Sequence, residues 1–484
     1  MSFLELPEPD PAVLARRDRI VAALRAILPA EAVIDDEDGR RAYEMDALTA
    51  YRRMPMAVAL PGSTEEVSAV MALLDREGVR VVGRGAGTSL AGGALPLEDA
   101  VVVCLSRMSR VLDMDFANRT ARVEAGITNI AISQAVAHEG FFYAPDPSSQ
   151  LACTIGGNIG MNSGGAHCLK FGVTTNNVLG LRMVMADGEI VDIGGKHLDT
   201  GGYDLIGLVV GSEGQLGLVT EATVRILRAA EGARPVLLGF SSCEAAGACV
   251  ADIIGQGIIP VAIEYMDRPA IKVCEEFAKA GYPLDVEAML IVEIEGSDEE
   301  IDDMLARIVA IAGKHDPMTT RMSGSAAESA AIWKGRKSAF GAMGRIADYL
   351  CMDGTIPTGQ LPHVLKRIGE ICEGRGLRVA NIFHAGDGNL HPLILFNAND
   401  PEELEKAEAC GADILSLCVE VGGCLTGEHG VGIEKRDLME KQFGADDLAL
   451  QIRIKRAFDP AWRLNPGKVF PLHLAGAAPA VAAE

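Results

Sequence analysis

The chain has 484 residues, 49% hydrophobic and 23% charged, with a formal net charge of −23, an ordinary globular profile with material for two to four domains. That acidity argues against nucleic acid, since no segment carries a dominant basic patch, but not against an anionic substrate, because local positive groups override net charge. The 11 cysteines are scattered and form no C-x-x-C pair, which weighs against an iron–sulfur cluster or structural zinc and fits free thiols in a reducing compartment.

The first residues, MSFLELPEPDPAVLARRDRI, are acidic and proline-rich and do not read as a signal peptide. No apolar run approaches the ~18 residues of a membrane span. The missing signal peptide and the scattered thiols point to a cytoplasmic chain. Ala12–Leu28 reads as an amphipathic helix and Ala57–Pro61 as a short strand. Ser63 opens a capping box with Glu66, and the helix behind it runs to Arg76. Gly78 stops that helix, and Val79–Val82 is the next strand of a β–α–β crossover. Val101–Leu105 and Thr120–Glu124 are strands, and Ile130–His138 is a helix ended by Gly140. Val178–Met185 and Ile190–Ile193 form a hairpin around Asp187-Gly188. Leu216–Ile226 is a further strand region.

Beyond Pro235 strands and helices alternate regularly: Val236–Phe240, Cys243–Gln256, Ile263–Met266, Pro269–Ala280, Ala288–Glu295 and Glu299–His315. This pattern predicts a sheet covered by helices on one face. Val379–Phe383 and Leu393–Phe396 are strands flanking a glycine turn, Pro401–Val421 is a long helix and Asp447–Phe458 the last one. The Ala/Pro-rich end is expected to be disordered.

Glycine is abundant, 54 residues against a typical ~7%, and it falls in clusters. The first, Gly83–Gly93, directly follows a strand. Consecutive backbone N–H groups in such a loop suit a pyrophosphate, although a tight structural turn reads the same way. Its G-x-G-x-G spacing is not the Rossmann pattern, which disfavours NAD. A second cluster spans Asp146–Ser149, Thr154–Gly160 and Asn162–Gly165, and a third spans Gly211–Gly217. Three such loops suggest an extended ligand gripped along its length.

The segments GRGAGTSLAGGALP, DPSSQLACTIGGNIGMNSGG and GSEGQLGLVTEATVRIL resemble the FAD-binding domain of the vanillyl-alcohol oxidase and para-cresol methylhydroxylase superfamily. HAGDGNLHPLILF and GEHGVGIEK resemble the FAD-linked oxidase C-terminal domain. Over about residues 20–471 the chain is similar to the large FAD subunits of bacterial glycolate oxidases, near the D-lactate and D-2-hydroxyglutarate dehydrogenases. The resemblance implies an α+β fold: an FAD-binding domain of two α/β subdomains over residues 1–230, a C-terminal α/β cap with a largely antiparallel sheet over 231–471, and a disordered tail over 472–484. It assigns Arg84, Gly85, Ala86, Gly87, Thr88, Ser89 and Gly92 to the FAD pyrophosphate. Pro145, Ser149, Thr154, Gly157, Asn158, Gly160, Glu213 and Val219 fall to the ribityl chain and isoalloxazine. The first loop contains neither His nor Cys, so the flavin is expected to be non-covalent, with Cys153 a buried core cysteine.

His384 and His391 close a glycine turn. If their flanks pair as a hairpin, the two imidazoles converge, and two histidines with one carboxylate form a common metal set. Glu428 supplies the carboxylate, with His429 beside it; the alternative is core or turn histidines. The resemblance favours the metal reading, zinc or manganese, with His429 as general base and Arg336 forking a substrate carboxylate. Without that resemblance Arg336 reads as a solvated helix-face arginine. Asn381 is a weaker pocket candidate.

Relatives that take dicarboxylates carry Thr, Lys and Asn at positions that are Phe340, Cys351 and Leu393 here. A second carboxylate would be left unpaired at a cost of several kcal/mol, roughly. The implied reaction is therefore FAD-dependent oxidation of glycolate or D-lactate to the 2-oxo acid, at a site between the two domains. The alternatives are a stand-alone D-lactate or D-2-hydroxyglutarate dehydrogenase, a metal hydrolase, which leaves the glycine loops unexplained, and an electron-transfer subunit without chemistry. The resemblance also implies a second FAD-type subunit and an iron–sulfur subunit, which would hold this chain at the inner membrane peripherally.

Overall fold

Ser63 sets the first long helix: its Oγ accepts from the Glu66 amide at 3.2 Å, and helix Thr64–Arg76 follows. Glu66 returns its carboxylate to the Gly62 amide at 2.7 Å, so the reciprocal half of the expected box closes one residue earlier. The structure, a computed structural model, describes residues 5–197 and 201–475. These residues divide into two compact units.

The first unit comprises residues 5–163, 173–197, 201–228 and 429–475. Its smaller sheet runs Val33–Ile34, Ala57–Ala59, Ala100–Cys104, Arg80–Arg84, with parallel pairing among the last three. The apolar run Ala100–Cys104 is fully buried, as a central parallel strand requires. A second, antiparallel sheet runs Val111–Asp115, Thr120–Glu124, Leu218–Arg225, Val178–Val184, Ile190–Gly194. Its hairpin turns at Gly188, where φ is +93°.

The second glycine cluster is where the expected loop is wrong. Thr154 caps a helix, Ile155–Met161, by accepting from Gly157 N at 3.3 Å. Glycine disfavours helices by about 1 kcal/mol each, but packing overrides propensity here. A Cβ on Gly156 would lie 2.8 Å from the Ala125 methyl, so only glycine lets this helix approach so closely. Asn162, at φ +53°, ends it.

The second unit comprises residues 164–172 and 229–428. Its core is a nine-stranded antiparallel sheet in the path Thr319–Met322, Gly232–Phe240, Ala288–Gly296, Ala262–Asp267, Arg378–His384, Asn389–Leu390, Gly354–Thr355. Pro392–Phe396 pairs with Arg378–His384 and with Asp348–Cys351, off that path. Helices Cys243–Gly255, Arg268–Ala278, Asp298–Ala312, Leu361–Gly374 and Pro401–Glu420 accompany it, with Ser242, Asp267, Ser297 and Asp400 as side-chain caps. Of the tail expected to be disordered, Leu472–Ala475 form one helical turn, and residues 476–484 lie outside the described residues. Among the described residues no helix is long and apolar enough to cross a membrane.

Candidate functional site

In the first unit, strand Arg80–Arg84 delivers its chain into the first glycine loop. Arg84 folds back, donating to the Met45 carbonyl at 2.8 Å, and its guanidinium lies 5.5 Å from the Tyr43 ring. Gly87 sits under that guanidinium at φ +73°, where a Cβ would lie 2.1 Å from an Arg84 nitrogen. Ser89 Oγ accepts from the amides of Ala91 and Gly93, both at 3.3 Å, which fixes the turn.

The first two glycine clusters meet at Gly85, whose absent Cβ would fall 2.2 Å from Thr154 Oγ1. On the helix behind Thr154, the buried Asn158 Nδ2 finds no oxygen or nitrogen acceptor among the described residues. An orphaned buried donor beside a cradle that a Cβ would fill fits a polar, closely held ligand such as FAD. The Pro145 carbonyl accepts from Asn129 Nδ2 at 3.1 Å, and the Ser149 carbonyl takes the Ala152 and Cys153 amides. Val219 is a buried strand residue opposite Met183. Burial raises the Cys153 thiol, the opposite of an activated nucleophile.

In the third cluster Glu213 is tied to other parts of the chain. Glu213, at φ +53°, donates its amide to the Gly160 carbonyl. Its buried carboxylate accepts from Val431 N at 2.6 Å and Gly432 N at 2.8 Å. His429, partly buried, belongs to this unit.

In the second unit the histidine turn is a hairpin: Asn381 pairs with Pro392 and His384 with Asn389. Gly388, at φ +76°, makes the reversal, where a Cβ would collide with the Ile356 carbonyl. The imidazole centroids stand 5.3 Å apart at 83°. Glu428 Oε1 lies 3.5 Å from His384 Nε2 and 3.3 Å from His391 Nε2, and one ligand atom from each residue fits within 4.8 Å of the others. Glu428 Oε2 accepts from Gly164 N at 3.1 Å. The second glycine cluster is thus divided: Gly164 serves this site. Two imidazoles and a carboxylate, largely buried, match a divalent-metal donor set.

Burial opposes ionisation of Glu428, yet His384 and His391 outweigh it and hold the carboxyl well below its ordinary range. Burial likewise opposes a charged His384, but Glu264 and Glu428 raise that imidazole well above its ordinary value.

Arg336 is not a solvated helix-face residue. It is 4% exposed, on helix Ala326–Lys337, and pairs with Glu264, which is fully buried. Asn381 turns its amide onto Asp267, with N and Nδ2 both 2.8 Å from Oδ2. Phe340 meets His391 with ring centroids 6.2 Å apart, while Cys351 and Leu393 oppose each other across two strands in an apolar cluster that Phe340 joins.

Residues 230–469 match the family of FAD linked oxidases, C-terminal domain, and residues 55–194 match an FAD binding domain. The glycolate oxidase subunit GlcD of Escherichia coli K12 is 48% identical over 94% of this chain and 91% of its own length. The chain belongs to the GlcD-type FAD-linked oxidases. It is an FAD-dependent oxidoreductase, and FAD is its cofactor. A D-lactate dehydrogenase of Archaeoglobus fulgidus is 32% identical over 90% of this chain and 96% of its own. The fold is also that of 4-ethylphenol oxidase from Gulosibacter chungangensis, at TM-score 0.80 and 18% identity, covering 97% of this chain and 100% of that one.

Three residues of this GlcD-type site escape the motif reading. Glu264 carried a signal, a charge inside the apolar strand AIEYMD, because a buried carboxylate must be paired. Asp353 carried none, since Asp353-Gly354 reads as a turn. Its buried carboxylate takes Thr426 Oγ1 at 2.5 Å and Gly427 N at 3.0 Å, and lies 3.4 Å from His391 Nε2. Gly164 was hidden in a cluster read as flavin-binding.

Proposed function

We propose that this chain oxidises a small 2-hydroxy acid, glycolate or D-lactate, to the 2-oxo acid. The observation that carries the reading is the convergence of His384, His391 and Glu428, with Arg336 tied to the same cluster through Glu264. The FAD domain takes residues 1–230 and the substrate domain residues 231–471, except that 164–172 belong to the compact unit of the substrate domain and 429–471 to that of the FAD domain. The seven residues assigned between Arg84 and Gly92 hold the pyrophosphate, and Pro145, Ser149, Thr154, Gly157, Asn158, Gly160, Glu213 and Val219 surround the rest of a non-covalent FAD.

FAD, when bound, supplies the hydride acceptor. Zinc or manganese held by His384, His391 and Glu428 would supply Lewis-acid polarisation of the substrate hydroxyl. His429 takes the hydroxyl proton. Arg336 binds the substrate carboxylate: Glu264 takes its Nε, and its Nη2 is left without a hydrogen-bond partner among the described residues. The apolar cluster at Phe340, Cys351 and Leu393 offers nothing to a distal carboxylate, which disfavours 2-hydroxyglutarate.

Anaerobic bleaching of the flavin by a panel of 2-hydroxy acids tests this. Glycolate or D-lactate should reduce it much faster than D-2-hydroxyglutarate, and equal rates would defeat the specificity argument. The E. coli relative is named a subunit, which supports a complex. The partners we propose are a second FAD-type subunit and an iron–sulfur subunit, with the complex peripheral to a membrane at its cytoplasmic face. The D-lactate dehydrogenase likeness supports a stand-alone enzyme instead. The purified chain should turn over with an artificial dye but poorly with quinone. Full-rate quinone reduction without a partner favours the stand-alone reading.

A further inference from the structure

We infer that Glu264 is a positioning residue that orients the candidate metal ligand His384 and anchors Arg336 through its two separate oxygens. The inference rests on the metal reading above for its consequence, but its geometry is independent of it. Glu264 lies on the interior strand Ala262–Asp267, directly opposite His384 on the neighbouring strand Arg378–His384. It is 0% exposed. Oε1 lies 2.7 Å from His384 Nδ1, and Oε2 accepts from Arg336 Nε at 2.7 Å, with the Arg336 NH2 group 2.6 Å away.

A carboxylate this deep is tolerated only with excellent pairing, and here the pairing is divided. One oxygen fixes the imidazole ring by taking the Nδ1 proton as a hydrogen bond. That leaves Nε2 as the nitrogen aimed at Glu428 Oε1. A carboxylate on the far nitrogen of a ligating histidine orients the ring and raises its basicity. The other oxygen holds the guanidinium on the same side of the sheet residue. The register pairing of Glu264 with His384 makes the distance between them a property of the sheet ladder, with no loop in the path. Arg336 is then set relative to His384 by a single side chain. His167 also faces this carboxylate, as a more distant positive group. Glu264 lies outside the sequence motifs that hold His384, His391 and Glu428, 120 positions before His384.

Four proteins test the inference: wild type, Glu264→Gln, Arg336→Gln and the double variant, each purified with FAD. Zinc affinity is read by competition with a chromophoric chelator. Glu264→Gln should weaken zinc by about 10–100-fold, and Arg336→Gln should leave it near wild type. The double variant removes both buried charges, so it keeps the fold testable if Glu264→Gln alone strands the guanidinium. Zinc affinity should stay low in it. Recovery of wild-type affinity in the double variant would show that Glu264 acts only by neutralising Arg336, and would overturn the inference.

A readout without metal separates this from failure of the metal reading. In the metal-free wild type, histidine-selective NMR should show one low-field ring N–H resonance that disappears in His384→Gln. It should shift upfield or exchange away in both variants at position 264, with the FAD spectrum unchanged. If the wild type binds no zinc but the resonance behaves so, the metal reading fails and the positioning role stands. An unchanged resonance in Glu264→Gln would overturn the positioning role whatever the zinc result.

Discussion

The cradle around Gly85 and the charged strand pair around Glu264 make close contact in opposite ways. The first works by removing side chains. Gly85, Gly87 and Gly156 each stand where a Cβ would overlap a neighbour, so backbone can approach a ligand or another segment of the chain. The second works by burying charge on a rigid sheet: Glu264, Arg336 and His384 are all under 6% exposed, and Glu264 is ion-paired to both of the others. The difference teaches where each is fragile. A cradle fails by volume, one methyl at a time. A buried charge network fails by stranding a partner, and its geometry is inherited from strand register.

The difference also governs what the sequence reveals. Glycine clusters and two histidines around a glycine turn are local patterns, so the cradle and the His384–His391 hairpin were legible, as were most long elements, but not the helices Ala326–Lys337 and Leu361–Gly374. The helix Ile155–Met161 was not, because its glycines argue against a helix until Ala125 is known to lie against Gly156. Glu264 and Asp353 were not legible as site residues either. Their partners are brought to them by strand pairing and by the return of the chain at Thr426–Glu428, contacts of long sequence separation that no local window contains.

The largest effect should come from the charged side. His391→Ala should lower turnover by ~10³-fold or more, the scale of losing several kcal/mol of Lewis-acid stabilisation. Bound metal should fall with it, while the flavin spectrum stays normal, because His391 lies in the second unit. Elemental analysis and flavin absorbance read the two separately. Full turnover in a metal-free protein would show that the charged side does not act through a metal.

Gly85→Ala should do the reverse, keeping metal and losing FAD. Overpacking of this kind costs typically ~1–3 kcal/mol, so FAD retained after gel filtration should drop while zinc affinity is unchanged. Equal loss of both would mean the two regions do not fail independently.

Glu213→Gln sharpens the comparison, since Glu213 is a buried charge serving the glycine side. Gln leaves one of the two amides, Val431 or Gly432, facing an NH2 group, at a cost of about 1–3 kcal/mol. Burial raises the Glu213 carboxyl above its ordinary value of 4.5, so the native state binds that proton more tightly than the unfolded chain does. The stability this adds is fully present below pH 4.5 and is lost as pH rises through the raised native value. Thermal melts of wild type against Glu213→Gln across that window should therefore differ in slope, the variant being flatter. Parallel curves would show that Glu213 does not titrate there.

The smallest effect is the most diagnostic. Thr154→Ala alone removes a helix cap, the bond to Gly157 N, and should cost about 1 kcal/mol. The same Oγ1 is the atom that a Cβ at Gly85 would strike at 2.2 Å; the next atoms, Thr154 Cβ and Gly157 Cα, are at the ordinary distances of 3.5 and 3.6 Å. Gly85 has no positive φ, so alanine is acceptable to its backbone. If the cradle fails by volume alone, Thr154→Ala makes room for the methyl. The double variant Gly85→Ala/Thr154→Ala should then retain FAD nearly as well as Thr154→Ala, and better than Gly85→Ala. Additive losses in that double-mutant cycle would mean instead that a methyl at Gly85 obstructs the flavin itself, and that the glycine is required by the ligand, not by Thr154.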